Sequence, residues 1–372
     1  MTARARGVLG ALAVVLLAAG CTATGAADST GPSPPAATAT PSAPAPAPAR
    51  TAQGTLLVAD FGSDTVTFVD PDRGTLDSVK VGTAPYGLVV GKDGRAWVAT
   101  AEGVAVVDTE TRENVGRIPY TTETGPATTG EYRGGGMGIA LAPDGKHVYV
   151  GVNVPDRNGV LEVIDTATRK VTDTVPVGRR PFDVDVSRDG GEVYATGHDS
   201  FDVTAVRADT LTPRRFEVAP YGTEGGLGSW LKPHYAAVRD DGKLLLPFEG
   251  EKLAVLDPRT GKVAVEPMTA DTHQHGARLT PDGALLAVGT GPISAGDDDA
   301  SLTIRTADGK ERVVPLDGPH EDVAASRDGR TAYVTGGFTR DGFWDGITVV
   351  DLESGDTHRL PAGHRPLGIT VL

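Results

Sequence analysis

Six of the Asp-Gly pairs in the chain follow one another at intervals of 41 to 52 residues, and this repeat constrains the fold more than any other feature. The pairs begin at Asp93, Asp144, Asp189, Asp241, Asp282 and Asp328. Short alternating apolar stretches flank them, such as 88–90 and 96–98 around the first pair. Because Asp and Gly both tolerate the positive φ angles of a tight turn, each pair predicts a hairpin between two strands.

A second hairpin follows in most repeats, marked by an aspartate after apolar residues at Asp70, Asp108, Asp165, Asp257 and Asp351. Four short strands at this period are typical of a β-propeller blade. Residues 56–59 resemble the second strand of a blade without its first strand. Residues 367–371 resemble the first strand of a blade without its second strand. The sequence therefore predicts an all-β, seven-bladed β-propeller over residues 54–372. Its antiparallel blades have four strands each, and pairing of the N- and C-terminal strands in one blade closes the ring.

Several repeats also share a sequence motif. The segments 149–153 (YVGVN), 194–197 (YATG) and 333–336 (YVTG), with 163–168 (VIDTAT) and 175–178 (VPVG), resemble the YVTN-type β-propeller repeat. This resemblance implies the propeller fold and a surface-layer, periplasmic or lipoprotein setting, but no single activity. We interpret the repeated Asp and Gly residues as turn formers, and the sequence predicts no catalytic residue.

The first 53 residues differ in composition from the rest. Two arginines precede an apolar run at 7–17 that is too short to span a bilayer, and small residues then lead to Cys21, the only cysteine of the chain. This pattern resembles a bacterial lipoprotein signal peptide, which implies removal of residues 1–20 and lipidation of Cys21. Residues 21–53, rich in Ala, Pro and Thr, predict a disordered tether. We expect a lipid-anchored protein on the outer side of the cell membrane; an ordinary secretory signal is the alternative.

Charge and cysteine content narrow the classes of partner. The chain has 49 acidic and 35 basic residues, a formal net charge of −14. A negative surface gains nothing from counterion release, so nucleic acid is excluded as a partner and the membrane is reached only through the lipid anchor. A single cysteine cannot form an intramolecular disulfide or a thiolate cluster, so a metal site would need N and O ligands. We expect a cell-envelope protein or a small ligand as partner.

The longer loops all fall on one predicted face of the ring. The Asp-Gly turns lie on the opposite face, whereas insertions at 120–136, 220–233, 153–159, 291–300 and 338–346 fall on the loop-rich face. Loops on a rigid scaffold commonly carry binding residues. The predicted binding face comprises Tyr132, Trp230, Phe343 and Trp344, with Tyr86 and Phe182 at the channel entrance. Alternatively, some of these aromatic residues pack the loops onto the ring.

One position of the repeat lies where the first strand of each blade enters the channel, and several blades have a polar side chain there. Across the seven blades it holds Tyr86, Met137, Phe182, His234, His275, Glu321 and Leu367. His273, His320 and His364 lie within two or three residues of this position. Imidazole with one carboxylate suits copper, zinc or iron. The predicted ligands are His234, His275, His320 and Glu321; a polar channel lining is the alternative.

Two further resemblances bear on function. The histidine cluster is similar to that of nitrous oxide reductase, which implies copper at one end of the channel, but the paired-histidine motifs and copper domain of that family are absent. Lactonase propellers are also similar, yet Asn114, Asn153 and Asn158 do not lie together on channel strands. The leading hypothesis is an anchored propeller that binds a ligand or partner through its loop-rich face. A metal-binding protein is the alternative, and a lactonase-like hydrolase the second alternative.

Overall fold

The computed structural model describes residues 54–218, 232–248, 252–292, 296–337 and 342–372. Within these ranges the chain forms 28 strands, arranged in seven sheets of four antiparallel strands. In six of the sheets the strands follow chain order, and in the seventh the last strand pairs with the first. The fold is a seven-bladed β-propeller, as the repeat predicts.

The blades are numbered in chain order from the one that contains both ends. Blade 1 joins β28 (Pro366–Val371) to β1 (Leu56–Asp60), β2 (Thr65–Asp70) and β3 (Gly74–Lys80). Blade 2 contains β4 (Leu88–Val90), β5 (Arg95–Ala99), β6 (Gly103–Asp108) and β7 (Glu113–Pro119). Blade 3 contains β8 (Gly135–Leu141), β9 (His147–Asn153), β10 (Val160–Asp165) and β11 (Lys170–Pro176).

The remaining four blades repeat this pattern. Blade 4 contains β12 (Pro181–Val186), β13 (Glu192–Gly197), β14 (Asp202–Arg207) and β15 (Pro213–Glu217), with a 3₁₀ turn at His198–Ser200. Blade 5 contains β16 (Ala237–Val238), β17 (Leu244–Phe248), β18 (Lys252–Asp257) and β19 (Lys262–Pro267). Blade 6 contains β20 (Gln274–Leu279), β21 (Leu285–Gly289), β22 (Ser301–Arg305) and β23 (Glu311–Pro315). Blade 7 contains β24 (Val323–Ala325), β25 (Thr331–Thr335), β26 (Gly346–Asp351) and β27 (Thr357–Pro361).

The ring closes through the two chain ends. β28 pairs antiparallel with β1, with Leu56 opposite Val371 and Val58 opposite Ile369. The innermost strands are β28, β4, β8, β12, β16, β20 and β24, and each contacts the innermost strands of both neighbouring blades. The predicted closure is therefore confirmed.

The Asp-Gly pairs act as turns. Their six glycines adopt φ between +70° and +84°, a left-handed conformation that glycine adopts without strain. Five of the six aspartates accept the backbone N–H two residues further on, as Asp144 does from Lys146 at 3.0 Å. This Asx geometry confirms that the repeated aspartates form turns.

Buried side chains of the described residues fill the channel at one end, which is called the sealed end below, and the other end is open. At the sealed end, side chains from five blades meet in one apolar cluster, with at most 6% of each exposed: Phe61, Tyr86, Met137, Phe182, Tyr235 and Leu367. The other end opens into a cavity of about 700 Å³ lined by inner-strand residues that include Asp185 and Arg278. No helix among the described residues is long and apolar enough to cross a bilayer.

Candidate metal centre at the sealed end of the channel

The seven equivalent positions divide the sealed end into two halves. Blades 1 to 4 contribute apolar side chains: Leu367, Tyr86, Met137 and Phe182. Blades 5 to 7 contribute polar ones: His234, His275 and Glu321. All seven are at most 3% exposed. Because the seven residues occupy the same backbone position in their blades, only the identity of their side chains makes one half of the sealed end apolar and the other half polar.

Three buried histidines converge in the polar half. His234, His273 and His275 each offer a nitrogen, and these atoms lie within 4.8 Å of one another. His234 precedes β16, whereas His273 precedes and His275 lies on β20, two residues apart on the same side of an extended segment. The His234 and His275 rings stack with centroids 3.9 Å apart, and His273 lies edge-on to both at 4.8 and 4.5 Å.

The spacing of this histidine triad is close to that of a loaded site. Three atoms no more than 4.8 Å apart lie within about 2.8 Å of a common centre, since the radius is at most the side divided by the square root of three. A zinc–imidazole bond is about 2.0–2.1 Å long. Each nitrogen therefore needs to move by less than about 1 Å, and the stacked His234 and His275 rings need to rotate so that both lone pairs point at the ion.

A carboxylate orients His275. Glu321 Oε2 lies 3.1 Å from His275 Nδ1, and the Tyr235 hydroxyl donates to Glu321 Oε1 at 3.4 Å. A carboxylate facing Nδ1 favours the tautomer with the proton on that nitrogen, so Nε2 keeps its lone pair for a metal. The two atoms are at ion-pair distance but not in hydrogen-bonding geometry, so a rotation of the His275 ring is needed to form the carboxylate–histidine pair that commonly supports metal ligands.

A second carboxylate orients His234 through another histidine. Asp199 Oδ1 lies 2.8 Å from His198 Nδ1, and His198 Nε2 lies 3.1 Å from His234 Nε2. With the His198 proton donated to Asp199, His198 Nε2 accepts from His234 Nε2–H. The lone pair of His234 is then on Nδ1, the remaining nitrogen through which this ring can bind a metal.

The protonation states fit this chain of hydrogen bonds. Burial lowers the pKa of His198 to about 4, so its imidazole is neutral at pH 7. Burial opposes ionisation of Asp199, but the hydrogen bond from His198 and the charges of Arg180 and Lys232 outweigh it and hold the pKa of Asp199 below its usual range. A neutral imidazole next to an ionised carboxylate is the state that the hydrogen-bond chain requires.

The structure brings together only part of the predicted ligand set. His234, His275 and Glu321 meet, but His320 lies elsewhere: its Nδ1 donates to the Gly318 carbonyl and its Nε2 accepts from the Thr348 hydroxyl, both at 2.7 Å. Burial lowers the pKa of His320 to about 4, so this ring is a neutral structural group. In the group of described residues that could hold a metal, His273 takes the place predicted for His320.

The residues predicted to form the binding face differ in their environment. Tyr132 and Phe343 are 51% and 45% exposed. Tyr86 and Phe182 are buried in the apolar half of the sealed end. Trp344 packs its indole edge-on against His320 at 5.5 Å, so it holds its loop onto the ring. Trp230 and Cys21 lie outside the described residues.

Known structures share the fold at low sequence identity. Hydrazine synthase from Kuenenia stuttgartiensis superposes with a TM-score of 0.61 at 17% identity, covering 77% of this chain and 89% of that one. Virginiamycin B lyase from Staphylococcus aureus superposes with a TM-score of 0.60 at 14% identity, covering 85% and 92%. The dihydro-heme d1 dehydrogenase NirN superposes with a TM-score of 0.55 at 17% identity, covering 85% and 74%. These likenesses define the fold alone.

No protein-family profile matches the sequence, and a comparison with curated proteins gives no match either. Fold and site together define a class: a seven-bladed β-propeller with a buried histidine triad at the sealed end of its channel.

Proposed function

We propose that this protein is a metal-binding β-propeller that holds one divalent transition-metal ion at His234, His273 and His275. The observation that carries the proposal is the convergence of three buried imidazoles within 4.8 Å, two of them oriented through carboxylates. Imidazole ligands suit zinc, copper and iron, and the absence of cysteine from the group disfavours a thiolate-selective site.

The ligand count indicates what such an ion would do. Three protein ligands leave a coordination position open, as in catalytic zinc sites, whereas structural zinc sites use four. A bound ion there supplies Lewis acidity to a ligand in the open position. Glu321 would hold His275 in its ligating tautomer and the Tyr235 hydroxyl would hold Glu321 in turn.

The cellular setting belongs to the proposal as well. The sequence of residues 1–53 supports a lipid anchor at Cys21 and a tether that places the propeller on the outer side of the membrane. The partner would be a small ligand or a cell-envelope protein that reaches the loop-rich face, where Tyr132 and Phe343 are exposed.

Metal analysis of protein purified without an affinity tag tests the metal site. After incubation with zinc or copper and dialysis, we expect one ion per chain in the wild type and none in a His234→Ala/His275→Ala variant. The matched control is His358→Ala, an exposed histidine on β27, which should bind as much metal as the wild type. A wild type that retains neither metal, or a double variant that retains as much, would show that the triad is only a polar lining.

A second candidate is catalysis at the same centre. It is favoured by the buried carboxylate of Glu321 beside the triad, in contact with Tyr235 and His275, because a carboxylate there can serve as a general base. Among the structural neighbours, a virginiamycin B lyase variant with histidine replaced by alanine is described as catalytically inactive and was solved with quinupristin. A lactonase-like hydrolase is a further form of this catalytic hypothesis. Turnover of lactone substrates or of quinupristin by metal-loaded protein, lost in the double histidine variant, would support it.

A further inference from the structure

The open end of the channel contains a cavity that the candidate metal centre does not use. Its volume is about 700 Å³, which is within the range of about 300–1,000 Å³ typical of small-molecule pockets. Its lining includes Arg188 and Arg327, each of which directly precedes the aspartate of an Asp-Gly turn. The cavity therefore opens on the face of the Asp-Gly turns, opposite the loop-rich face.

One position of the repeat gives this cavity both its space and its charge. The position lies three residues after the one that forms the sealed end, and in six of the seven blades its residue lines the cavity: Thr370, Val89, Ala140, Asp185, Arg278 and Ala324. The four neutral side chains are small and leave space in the channel. The two charged side chains, on β12 of blade 4 and β20 of blade 6, are separated by blade 5.

The guanidinium of Arg278 faces this space without a direct partner. Its side chain is exposed to the cavity and forms no ion pair or hydrogen bond with another described residue. Reduced solvation in the channel opposes its charge, but the carboxylates of Asp322, Asp183 and Asp185 outweigh that effect and raise the pKa of Arg278. The planar fork of donors is therefore charged and has unused capacity for a carboxylate.

Two carboxylates lie side by side on β12, and only one of them is fully used by the backbone. Asp183 and Asp185 are two residues apart, on the same side of the strand. Asp183 accepts the backbone N–H groups of Val184 and Ala236, both at 2.9 Å. Asp185 Oδ2 is buried and has no hydrogen-bond partner in the described part of the chain. Burial raises the pKa of Asp185, and the charge of Asp183 raises it further. An ammonium group at Asp185 would pair with the unused oxygen and offset this repulsion.

The charges inside the channel favour a ligand that carries two opposite charges. Away from the exposed arginines of the rim, three carboxylates act on one guanidinium, that of Arg278. Asp185 and Arg278 influence each other electrostatically but form no ion pair, so a gap remains that a ligand can bridge. A metal ion fits poorly, because the group of described residues that could hold one is the histidine triad and includes none of these carboxylates.

We propose that the open end of the channel binds a small zwitterion, an amino acid with an apolar side chain, with its ammonium group at Asp185 and its carboxylate at Arg278. A guanidinium fork matches the paired oxygens of a carboxylate. The apolar side chain would pack against Leu88, Ile139 and Leu141, which line the cavity on blades 2 and 3. The site lies at the opposite end of the channel from the histidine triad and does not rest on the proposed function.

Calorimetric titration with L-leucine and two truncated forms of the same molecule tests the proposal. Isocaproate keeps the carbon skeleton and the carboxylate but lacks the ammonium group, whereas isoamylamine keeps the ammonium group but lacks the carboxylate. We expect the wild type to bind L-leucine and to bind each truncated form about tenfold or more weakly, because each leaves one charged group of the protein without its partner.

Substitutions at the two charged residues should remove this discrimination one group at a time. Asp185→Asn keeps the shape of the side chain; it should weaken L-leucine binding to the level of isocaproate and leave isocaproate binding unchanged. Arg278→Gln should likewise reduce L-leucine to the level of isoamylamine. Arg278→Lys keeps the charge but loses the fork; it should bind L-leucine more weakly than the wild type and serves if Arg278→Gln fails to fold. Arg330→Gln, at an exposed arginine after an Asp-Gly turn and outside the cavity lining, is the matched control and should bind L-leucine as the wild type does.

The outcomes distinguish this site from the metal centre. No binding of L-leucine by the wild type overturns the proposal, as does isocaproate or isoamylamine binding as tightly as L-leucine. Wild-type affinity for L-leucine in both the Asp185 and the Arg278 variants also overturns it. The His234→Ala/His275→Ala variant should bind L-leucine as the wild type does, so failure of the histidine triad to bind metal leaves this result unaffected. Loss of L-leucine binding in that variant would place the ligand at the triad and overturn the assignment to the open end.

Discussion

Replacement of the buried Asp60 by asparagine should stabilise the protein at neutral and alkaline pH. Asp60 is the last residue of β1 and is fully buried. Its side chain accepts hydrogen bonds from the hydroxyls of Thr67 at 2.5 Å and Thr65 at 3.0 Å. It also accepts one from the backbone N–H of Gly363 at 3.0 Å. Burial raises its pKa from 3.8 to about 7, against the opposing effect of these hydrogen bonds. The carboxyl group is thus protonated in the folded state under conditions in which the unfolded chain ionises it.

The sign and the size of the effect follow from that shift. Between about pH 4 and pH 7 the folded state binds the proton and the unfolded state does not, so the free energy of unfolding falls as pH rises through this window. At about 1.4 kcal/mol for each pKa unit, a shift of about three units corresponds to at most about 4 kcal/mol. Above pH 7 the whole of this cost is present. The amide introduced by Asp60→Asn would mimic the protonated carboxyl group at every pH, with the two threonine hydroxyls turned to accept from it.

Urea unfolding of the wild type and of Asp60→Asn at several pH values between 5 and 8 measures the effect. We expect the variant to be more stable by about 1.7 kcal/mol at pH 5, where about 1.2 units of the pKa shift already count, and by up to about 4 kcal/mol at pH 8. Asp144→Asn, at an exposed Asp-Gly turn, is the control and should show no such gain. Parallel stability curves, with the variant less stable throughout, would refute the reasoning, because they would mean that Asp60 is ionised in the folded protein and stabilised by its hydrogen bonds.

The remaining predictions concern closure and anchoring. Deletion of residues 366–372 should cause aggregation or strong destabilisation, because it removes β28 and exposes the edge of β1; a truncated protein with the thermal midpoint of the wild type would contradict the closure. Ile369→Ala, a milder change at a side chain 3% exposed, should cost about 2–5 kcal/mol in urea unfolding. A Cys21→Ser protein should leave the membrane fraction and lack an acyl group, and retention in the detergent phase would count against the lipid anchor.

The fold was predictable because each blade carries its own local signals. The Asp-Gly turns depend on two adjacent residues, a glycine at positive φ and an aspartate that accepts a nearby backbone N–H, and the alternating strands around them need no knowledge of distant contacts. Closure was also predictable, since residues 56–59 and 367–371 each lack a partner strand within their own part of the chain. Both inferences depend on local pattern and on counting strands.

The candidate site was predictable only where it follows the repeat. His234, His275 and Glu321 share one register position, so their convergence follows from the ring. His320 is one residue out of that register, and in an extended segment a shift of one residue turns a side chain to the other face. It accordingly reaches Thr348 on β26 within its own blade. His273 is two residues from His275, so the same alternation places both side chains on one face of the segment.

His198 and Asp199 follow no register, and no sequence signal identifies them. They lie in the 3₁₀ turn between β13 and β14, outside the inner strands, and reach the histidine triad only through the tertiary contact between His198 and His234. Their opposite pKa shifts depend on burial and on Arg180 and Lys232, which come from other parts of the chain. The repeat therefore places the candidate ligands and also Glu321, which faces His275, whereas the groups that select the tautomer of His234 come from a turn between strands. Since the tautomer determines which nitrogen is available to a metal, this turn decides whether His234 can complete the candidate site.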